Sequence, residues 1–205
     1  MMHDTTAIDG SPLAPESLKM MDYLHTRAAE LSAEGICERV RAAAAELEKT
    51  VAAIPEAKCR VRPISGKWTI AEVVDHISQT QIRGAEELRH LLAGRRPPLP
   101  PVYEAIRSGA GQWAPWNMLM SELHQANQAM VEVLESGRGI PIRADDPTVR
   151  TVMVALHKPE GGAPRPQIYF AELAWKEYAL LQRLHLLDHR RQVKELLGAV
   201  DAMHA

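Results

Sequence analysis

Apolar side chains recur every three or four positions along most of the chain, which is the pattern of amphipathic helices. The first helical stretch begins at Pro15, whose missing N–H costs nothing in a first turn, and runs from Glu16 to Ala33. Gly35 marks a break or kink. A further helical stripe then ends before Pro55. Its apolar members are Ile36, Val40, Ala43, Leu47, Val51 and Ile54.

Two more helices follow, and each has recognisable start and stop signals. Thr69 and Glu72 form a T-x-x-E capping box, so the second long helix starts there and runs to about Ala93. A proline-rich loop separates it from the third helix, which Pro115 starts and Gly137 ends.

Residues 138–165 form a long connection rich in proline and glycine, with an extended segment at Val149–Leu156. A connection of this length inside a compact domain usually carries function or covers an opening. A last helix is predicted from about Pro166 to Val200. The chain is therefore expected to be all-α, a four-helix bundle with long loops between helices two and three and between helices three and four.

The 205 residues fit one domain, and we expect a flexible leader over residues 1–14 followed by one helical domain over residues 15–205. The leader has no apolar core, so it does not have the pattern of a signal peptide. No apolar run reaches the roughly 18 residues that a membrane span needs.

Composition narrows the classes of partner. The formal net charge of -2 gives no general attraction to nucleic acid or anionic membranes, so neither is expected as a partner. Cys37 falls in a helical pattern and Cys59 in a loop. Two cysteines fit a reduced cytoplasmic protein better than a disulfide framework.

The last helix carries the main candidate for chemistry. His185 and His189 lie one turn apart on a stripe that otherwise consists of Trp175, Tyr178, Gln182, Val193, Leu196 and Val200. Imidazoles at this spacing can bind one metal ion together. With 9 histidines in the chain, about 0.35 such pairs arise by chance, so a structural pair in the core remains an alternative.

His76 lies at the flank of the apolar face of the second long helix, four residues after Glu72 and four before Thr80. Its position is compatible with a solvated polar face. It is equally compatible with the polar wall of a pocket that faces the last helix.

Three segments resemble the DinB/YfiT-like superfamily. Around Trp68, Thr69 and His76 the chain is similar to the family's Trp-[Ser/Thr]-x6-His segment, which opens its second helix. The segment His185-Leu186-Leu187-Asp188-His189-Arg190-Arg191-Gln192 resembles its H-x-x-x-H-x-x-Q, and Trp175 fits an aromatic position before it. His157-Lys158-Pro159-Glu160-Gly161 is similar to a loosened His-Pro-x-x-Gly loop found in some members. The resemblance spans roughly Ser65 to Leu197.

The resemblance implies a bundle, often dimeric, in which His76, His185 and His189 bind one divalent ion on an open site. Imidazole ligands suit zinc, nickel or iron. Family members include enzymes that move groups onto low-molecular-weight thiols and others described as hydrolases. We therefore expect a metal-dependent thiol S-transferase or hydrolase that acts on a small molecule. The alternatives are a non-catalytic metal-binding or stress-response protein, or a helical interaction module without metal.

The sequence assigns no catalytic residue, but it suggests a set of supporting or pocket residues. They are Glu72, Thr80, Tyr178, Gln182 and Gln192. Capping alone explains Glu72, core packing alone explains Tyr178, and structural support is the simpler role for Gln192. Asp188 makes the segment H-x-x-D-H, which is faintly similar to the H-x-x-E-H of one class of zinc proteases. On a helical wheel it points away from His189, which disfavours that function.

A second apolar stripe on the last helix is predicted opposite the histidines. It consists of Leu173, Leu180, Leu184 and Leu187. A helix that is apolar on two sides lies either in the centre of the core or at a subunit contact, and this stripe suggests a homodimer.

Overall fold

The fold was analysed in a computed structural model that describes residues 6–140, 145–158 and 162–203. Its helices and strands, in chain order, are α1 (Pro15–Glu30), α2 (Ala33–Ala52), α3 (Glu56–Cys59), α4 (Ile70–Leu92), a 3-10 turn (Ala110–Gln112), α5 (Trp116–Ser136), β1 (Val149–His157), β2 (Arg165–Leu173) and α6 (Trp175–Ala202).

The four long helices α2, α4, α5 and α6 pack as a closed ring. Helix α4 packs against α5 and α6, and α2 packs against the same two helices from the opposite side. Aliphatic side chains fill the interior, among them Leu47, Ile77, Leu123 and Leu186, all of which are inaccessible to solvent or nearly so. The predicted all-α four-helix bundle is confirmed.

The break near the start of the bundle differs from the prediction. Helix α1 ends at Glu30, and the chain turns at Leu31 and Ser32. Gly35 is not the break, because it lies in the first turn of α2, where its N–H donates to Ser32 Oγ at 3.0 Å. Ser32 at the N-cap satisfies one of the free N–H groups of the first turn, which stabilises the start of α2 at this point. Helix α1 packs outside the ring, against α6 and β1.

A two-stranded antiparallel hairpin, β1 and β2, lies within and after the long connection. Its register runs from Val149 opposite Leu173 to His157 opposite Arg165. The predicted extended segment at Val149–Leu156 is confirmed as β1.

The prediction that the last helix starts at about Pro166 is wrong, because residues 165–173 form β2. In this segment Tyr169, Ala171 and Leu173 are buried at every second position, which is the period of a strand. Helix α6 starts only at Trp175, where the N–H of Ala174 donates to Glu177 Oε2 at 2.9 Å.

The second apolar stripe of the last helix is shorter than predicted, because Leu173 belongs to β2. Leu180 and Leu184 pack in one part of the core, and Leu187 packs in another. The homodimer remains a prediction.

Other features of the sequence have clear places in the fold. Both cysteines are buried and form no disulfide, and Cys59 ends the short helix α3 rather than lying in a loop. Within the predicted leader, Ala7 forms a β-bridge with Tyr169 of β2. The division into a leader and one helical domain remains a prediction. None of the described helices is both long enough and apolar enough to cross a bilayer.

Gly111 supplies a test of how the 3-10 turn packs on the start of α4. A Cβ atom at Gly111 would lie 2.7 Å from Glu72 Cα and 2.8 Å from the carbonyl oxygen of Ala71. These are backbone atoms, so the loop must shift, and we expect Gly111→Ala to reduce the free energy of unfolding in urea by about 1–3 kcal/mol.

The matched control is Gly198→Ala in α6, where an added Cβ meets no atom within 4 Å. Helix propensity predicts that this variant is as stable as the parent or more stable, by up to about 1 kcal/mol. Equal unfolding free energies for Gly111→Ala and the parent would contradict the packing described for the turn.

Candidate metal centre

The start of α4 sets the direction of His76. Thr69 and Glu72 form the predicted capping box: the Thr69 N–H donates to Glu72 Oε2 at 2.8 Å, and the Glu72 N–H donates to Thr69 Oγ1 at 3.2 Å. Reciprocal capping fixes the first turn, and His76 then lies one turn further along the helix. Its side chain faces α6 and is 8% exposed. It therefore forms the wall of a pocket and not a solvated face.

Three imidazoles converge between α4 and α6. His185 Nε2 lies 3.1 Å from His76 Nε2 and 3.0 Å from His189 Nε2. One nitrogen from each ring lies within 4.8 Å of the others, and together they could hold a metal ion. The predicted meeting of His76 with the pair on the last helix is confirmed.

Hydrogen bonds at the far side of two rings determine which nitrogens carry lone pairs. His76 Nδ1–H donates to the carbonyl of Ile106 at 2.8 Å, and His189 Nδ1–H donates to Gln192 Oε1 at 2.7 Å. Because a neutral imidazole has one N–H, both Nε2 atoms are left as acceptors that point at His185. Lone pairs directed at one point are what a cation requires.

The two nitrogen–nitrogen separations at His185 also fit such an ion. Zinc–nitrogen bonds of about 2.0–2.1 Å at tetrahedral angles separate two ligand atoms by about 3.3 Å. The separations of 3.0 and 3.1 Å at His185 are close to that value.

Burial keeps these imidazoles neutral. It lowers the pKa of His76 to about 4, assisted by the nearby His189 and Arg107 and opposed by the Ile106 hydrogen bond. Burial also lowers the pKa of His185 well below its usual range and lowers the pKa of His189. At neutral pH all three rings are therefore in the form that binds metal.

Asp75 anchors the loop that orients His76. Its carboxylate is 1% exposed and accepts four hydrogen bonds: from Ser108 Oγ at 2.6 Å and from the N–H groups of Ser108, Gly109 and Gly111 at 3.2, 3.0 and 3.3 Å. Ile106, whose carbonyl holds His76, lies two residues before Ser108 in the same loop. Asp75 therefore positions His76 indirectly.

Sequence reasoning missed Asp75. A carboxylate between two residues that the helical pattern directs inward, with a Ser-Gly-Ala-Gly segment further along the chain, was the available signal. Such a pattern indicates that a glycine-rich loop could supply N–H donors, but it does not show where the loop folds.

Glu72 has a structural role. Burial would raise its pKa, but hydrogen bonds from Thr69 and Arg62 outweigh burial and lower it. Arg62 lies 2.8 Å away and Arg107 lies 3.6 Å away, so both carboxylate oxygens are engaged. Arg107 also lies over the Trp68 ring at 4.8 Å, and that ring packs against His76 with centroids 5.1 Å apart.

The other supporting residues of the prediction all lie near the histidines or the cavity beside them. Thr80 Oγ1 donates to the carbonyl of His76 at 2.8 Å. Tyr178 donates a short hydrogen bond to Glu87, and burial together with Glu87 raises the Tyr178 pKa well above its usual value. Gln182 is 4% exposed and lies where α4 approaches closely at Gly84. Their parts in any reaction remain predictions.

A cavity of about 860 Å³ opens beside the histidines. Its walls come from α4, α6, β1 and the loop at residues 101–106, and both His76 and His185 line it. Its volume lies within the range of small-molecule sites. The site therefore has an open side toward a space that can hold a small molecule.

Other residues that the sequence singled out lie outside this centre. Asp188 is exposed and accepts a hydrogen bond from Arg191 at 2.7 Å, as expected of a residue that points away from His189. His124, to which the sequence assigns no role, pairs with Glu48 at 3.0 Å on the surface. His157 ends β1 and contacts Glu16 at 3.2 Å, while residues 159–161 of the His-Pro-like loop lie outside the described residues.

Comparison with known families agrees with the resemblance in the sequence. A family model described as the DinB superfamily matches residues 39–202, which include the three histidines and the hairpin. No curated protein and no solved structure matches the chain significantly.

Asp75→Asn tests the anchoring of the loop. The variant keeps the size of the side chain but replaces charge-assisted hydrogen bonds with weaker ones. Its NH2 group is itself a donor, so it cannot accept hydrogen bonds from the N–H groups of the loop. We expect the free energy of unfolding in urea to fall by about 2 kcal/mol. The Nδ1–H signal of His76 in NMR spectra should lose intensity or broaden as Ile106 loses its position.

Asp188→Asn is the control, since an exposed pair contributes about 0–1 kcal/mol. A loss of similar size in both variants would show that Asp75 does not have the special structural role assigned to it.

Proposed function

Because the chain belongs to the DinB superfamily, we propose that it is a metal-dependent enzyme that transfers a group between a small molecule and a low-molecular-weight thiol. The observation that carries the proposal is the convergence of three neutral imidazole nitrogens at the wall of an open cavity of about 860 Å³.

His76, His185 and His189 would hold the ion, because one ring nitrogen from each lies within 4.8 Å of the others. When bound to neutral ligands, a divalent ion keeps its full charge and holds a thiol as its thiolate at neutral pH. Zinc, nickel and iron(II) all suit nitrogen ligands. Gln192 and the Ile106 carbonyl would keep two of the rings in the tautomer that this role needs.

In the proposed transfer, the thiolate sulfur forms a bond to an electrophilic carbon of the acceptor. The bond from that carbon to the leaving group breaks, and the leaving group takes the electron pair. The proton of the thiol passes to solvent. The chain's residues would orient the thiol and the acceptor in the cavity, which is where positioning lowers the barrier.

The state of the neighbouring carboxylates supports transfer more than hydrolysis. Hydrolysis commonly uses a carboxylate or histidine as general base. Of the carboxylates within four residues of a histidine of the centre, Glu72 is held by its cap and two arginines, Asp75 by the loop at residues 108–111, and Asp188 by Arg191. Glu104, which also lines the cavity, is exposed to solvent. A thiolate attacks without such a base, so these commitments do not impede it.

The open cavity also supports an enzyme over a structural metal site. A structural site is closed by a fourth protein ligand. Among the described residues, no cysteine, aspartate or glutamate joins the three histidines in the group that could hold an ion.

Metal content tests the centre. Purified without an affinity tag, the parent protein should contain about one divalent ion per chain by mass spectrometry, and His185→Ala should contain far less, since a ligand is lost. His124→Ala removes an exposed histidine that pairs with Glu48, so its metal content should match the parent. Undiminished metal in His185→Ala would remove this residue from the site.

Turnover tests the reaction. The metal-loaded protein is incubated with a panel of thiols and an aromatic chloride acceptor, and the S-conjugate is measured by chromatography. We expect conjugate formation that falls by roughly 100-fold in His185→Ala and is unchanged in His124→Ala. Acceptor cleavage without added thiol would indicate a hydrolase, and a bound ion with no turnover would indicate a binding protein. Either result contradicts the proposed transfer.

A further inference from the structure

The hairpin has one paired outer edge and one open edge. On the outer edge of β2, Ala7 bridges Tyr169, and the N–H of Ile8 donates to the carbonyl of Ile168 at 2.9 Å. Strand β1 pairs with β2, and no other described residue forms a bridge with it. Its second edge therefore presents peptide groups that no described strand satisfies.

The register shows which peptide groups these are. Since the Ile168 carbonyl points toward Ile8, the peptide groups of Ile168 face away from β1. Its partner Val154 is then in a non-hydrogen-bonded pair, so the N–H and C=O of Val154 face away from β2. The same holds at every second position, and hence at Val152.

This open edge borders the cavity beside the histidines. The cavity is lined by seven consecutive residues of β1, from Arg150 to Leu156, together with His76 and His185. Side chains of alternate strand residues point to opposite faces, so a consecutive run of lining residues includes the backbone as well as the side chains. This is the arrangement expected where the free edge, with its outward N–H and C=O groups, borders the cavity.

Arg150 places an uncommitted positive charge at the same wall. Its guanidinium lies over the Phe170 ring at 4.1 Å, and no ion pair with a described carboxylate is found for it. The other arginines of the cavity are committed, Arg83 to Glu87 and Arg191 to Asp188. A ligand carboxylate would therefore find its partner at Arg150.

We propose that the free edge of β1 is a subsite for a short, extended, amide-bearing ligand that ends in a carboxylate. Its amide groups pair with the outward peptide groups of Val152 and Val154, and its carboxylate binds Arg150. This mode is strand addition on a small scale, in which main-chain hydrogen bonds supply the affinity. Resting on the proposed function, the subsite identifies the thiol as a peptidic one whose sulfur reaches the histidines.

Val154→Pro tests the subsite at a single atom. Proline removes the N–H that points to the cavity, but it removes no hydrogen bond of the hairpin, because this N–H faces away from β2. The hairpin already holds Pro166 at the corresponding outward-facing position, opposite Leu156. Val154→Ala is the matched control, since it shortens the side chain and keeps the N–H.

Binding is measured by calorimetry on the metal-loaded protein with three probes: glutathione, S-methylglutathione, and 3-mercaptopropionate, which has no amide. We expect Val154→Pro to reduce the affinity for both glutathione forms by about 5-fold, which corresponds to the loss of one hydrogen bond. The affinity for 3-mercaptopropionate should stay within about twofold of the parent's. Val154→Ala should bind all three as the parent does.

Arg150→Gln keeps the proposal testable if the proline variant does not fold. It should reduce the affinity for S-methylglutathione by at least about 5-fold, because the ligand carboxylate loses its charged partner. The affinity for the diethyl ester of this ligand should not change. Equal losses for acid and ester would overturn the assignment of Arg150.

The remaining outcomes separate the subsite from the proposed function. S-methylglutathione has no thiol, so the predicted pattern with this probe supports the subsite even if no thiol transfer is found. Thiol transfer that Val154→Pro leaves unchanged overturns the subsite alone. Failure of the parent to bind either glutathione form also overturns it. A third result would also overturn the subsite: the parent is a dimer, and Val154→Pro dissociates it without changing the binding of the probes. The edge would then pair with a second copy of the chain.

Discussion

The centre depends on keeping three neutral imidazoles with their Nε2 atoms facing one another in the interior. Burial lowers the pKa of each ring, so none takes up the second proton that would make it a cation and repel its neighbours. Hydrogen bonds from Nδ1 of His76 and of His189 then direct two lone pairs toward His185.

Much of that support comes from parts of the chain that carry no ligand. The capping box sets the start of α4, and Asp75 gathers the N–H groups of the loop whose Ile106 carbonyl orients His76. Gly111 lets that loop lie directly on the backbone of α4. A buried carboxylate is stable only when its oxygens are satisfied, so the loop and the helix stabilise each other. The geometry of His76 is therefore a property of the whole α4–loop unit.

The hairpin gives the site its second side. Helix packing alone would leave the histidines in a groove between α4 and α6, but β1 and the loop at residues 101–106 enclose a cavity of about 860 Å³. Strand β1 is anchored through Met153 and Ala155, which are buried, and its residues from Arg150 to Leu156 line the cavity. The proposed thiol site and the proposed edge subsite belong to the same cavity. One ligand could therefore place its sulfur at the histidines and its amide groups along the edge of β1.

The sequence by itself determined the local features. The spacing of His185 and His189 put them on one face, and the Thr69–Glu72 pattern set the start of α4, because helix periodicity and capping act over only a few residues. The resemblance to the DinB superfamily connected the two distant segments. Tertiary structure alone decided that His76 faces α6, that residues 165–173 form a strand and that Asp75 binds the 108–111 loop. The histidine contact and the Asp75 anchor join residues that are far apart in the chain. Strand β2 takes its hydrogen bonds from β1 of the same hairpin and from the segment near the N-terminus, where Ala7 bridges Tyr169, and such pairing overrides a local helical pattern.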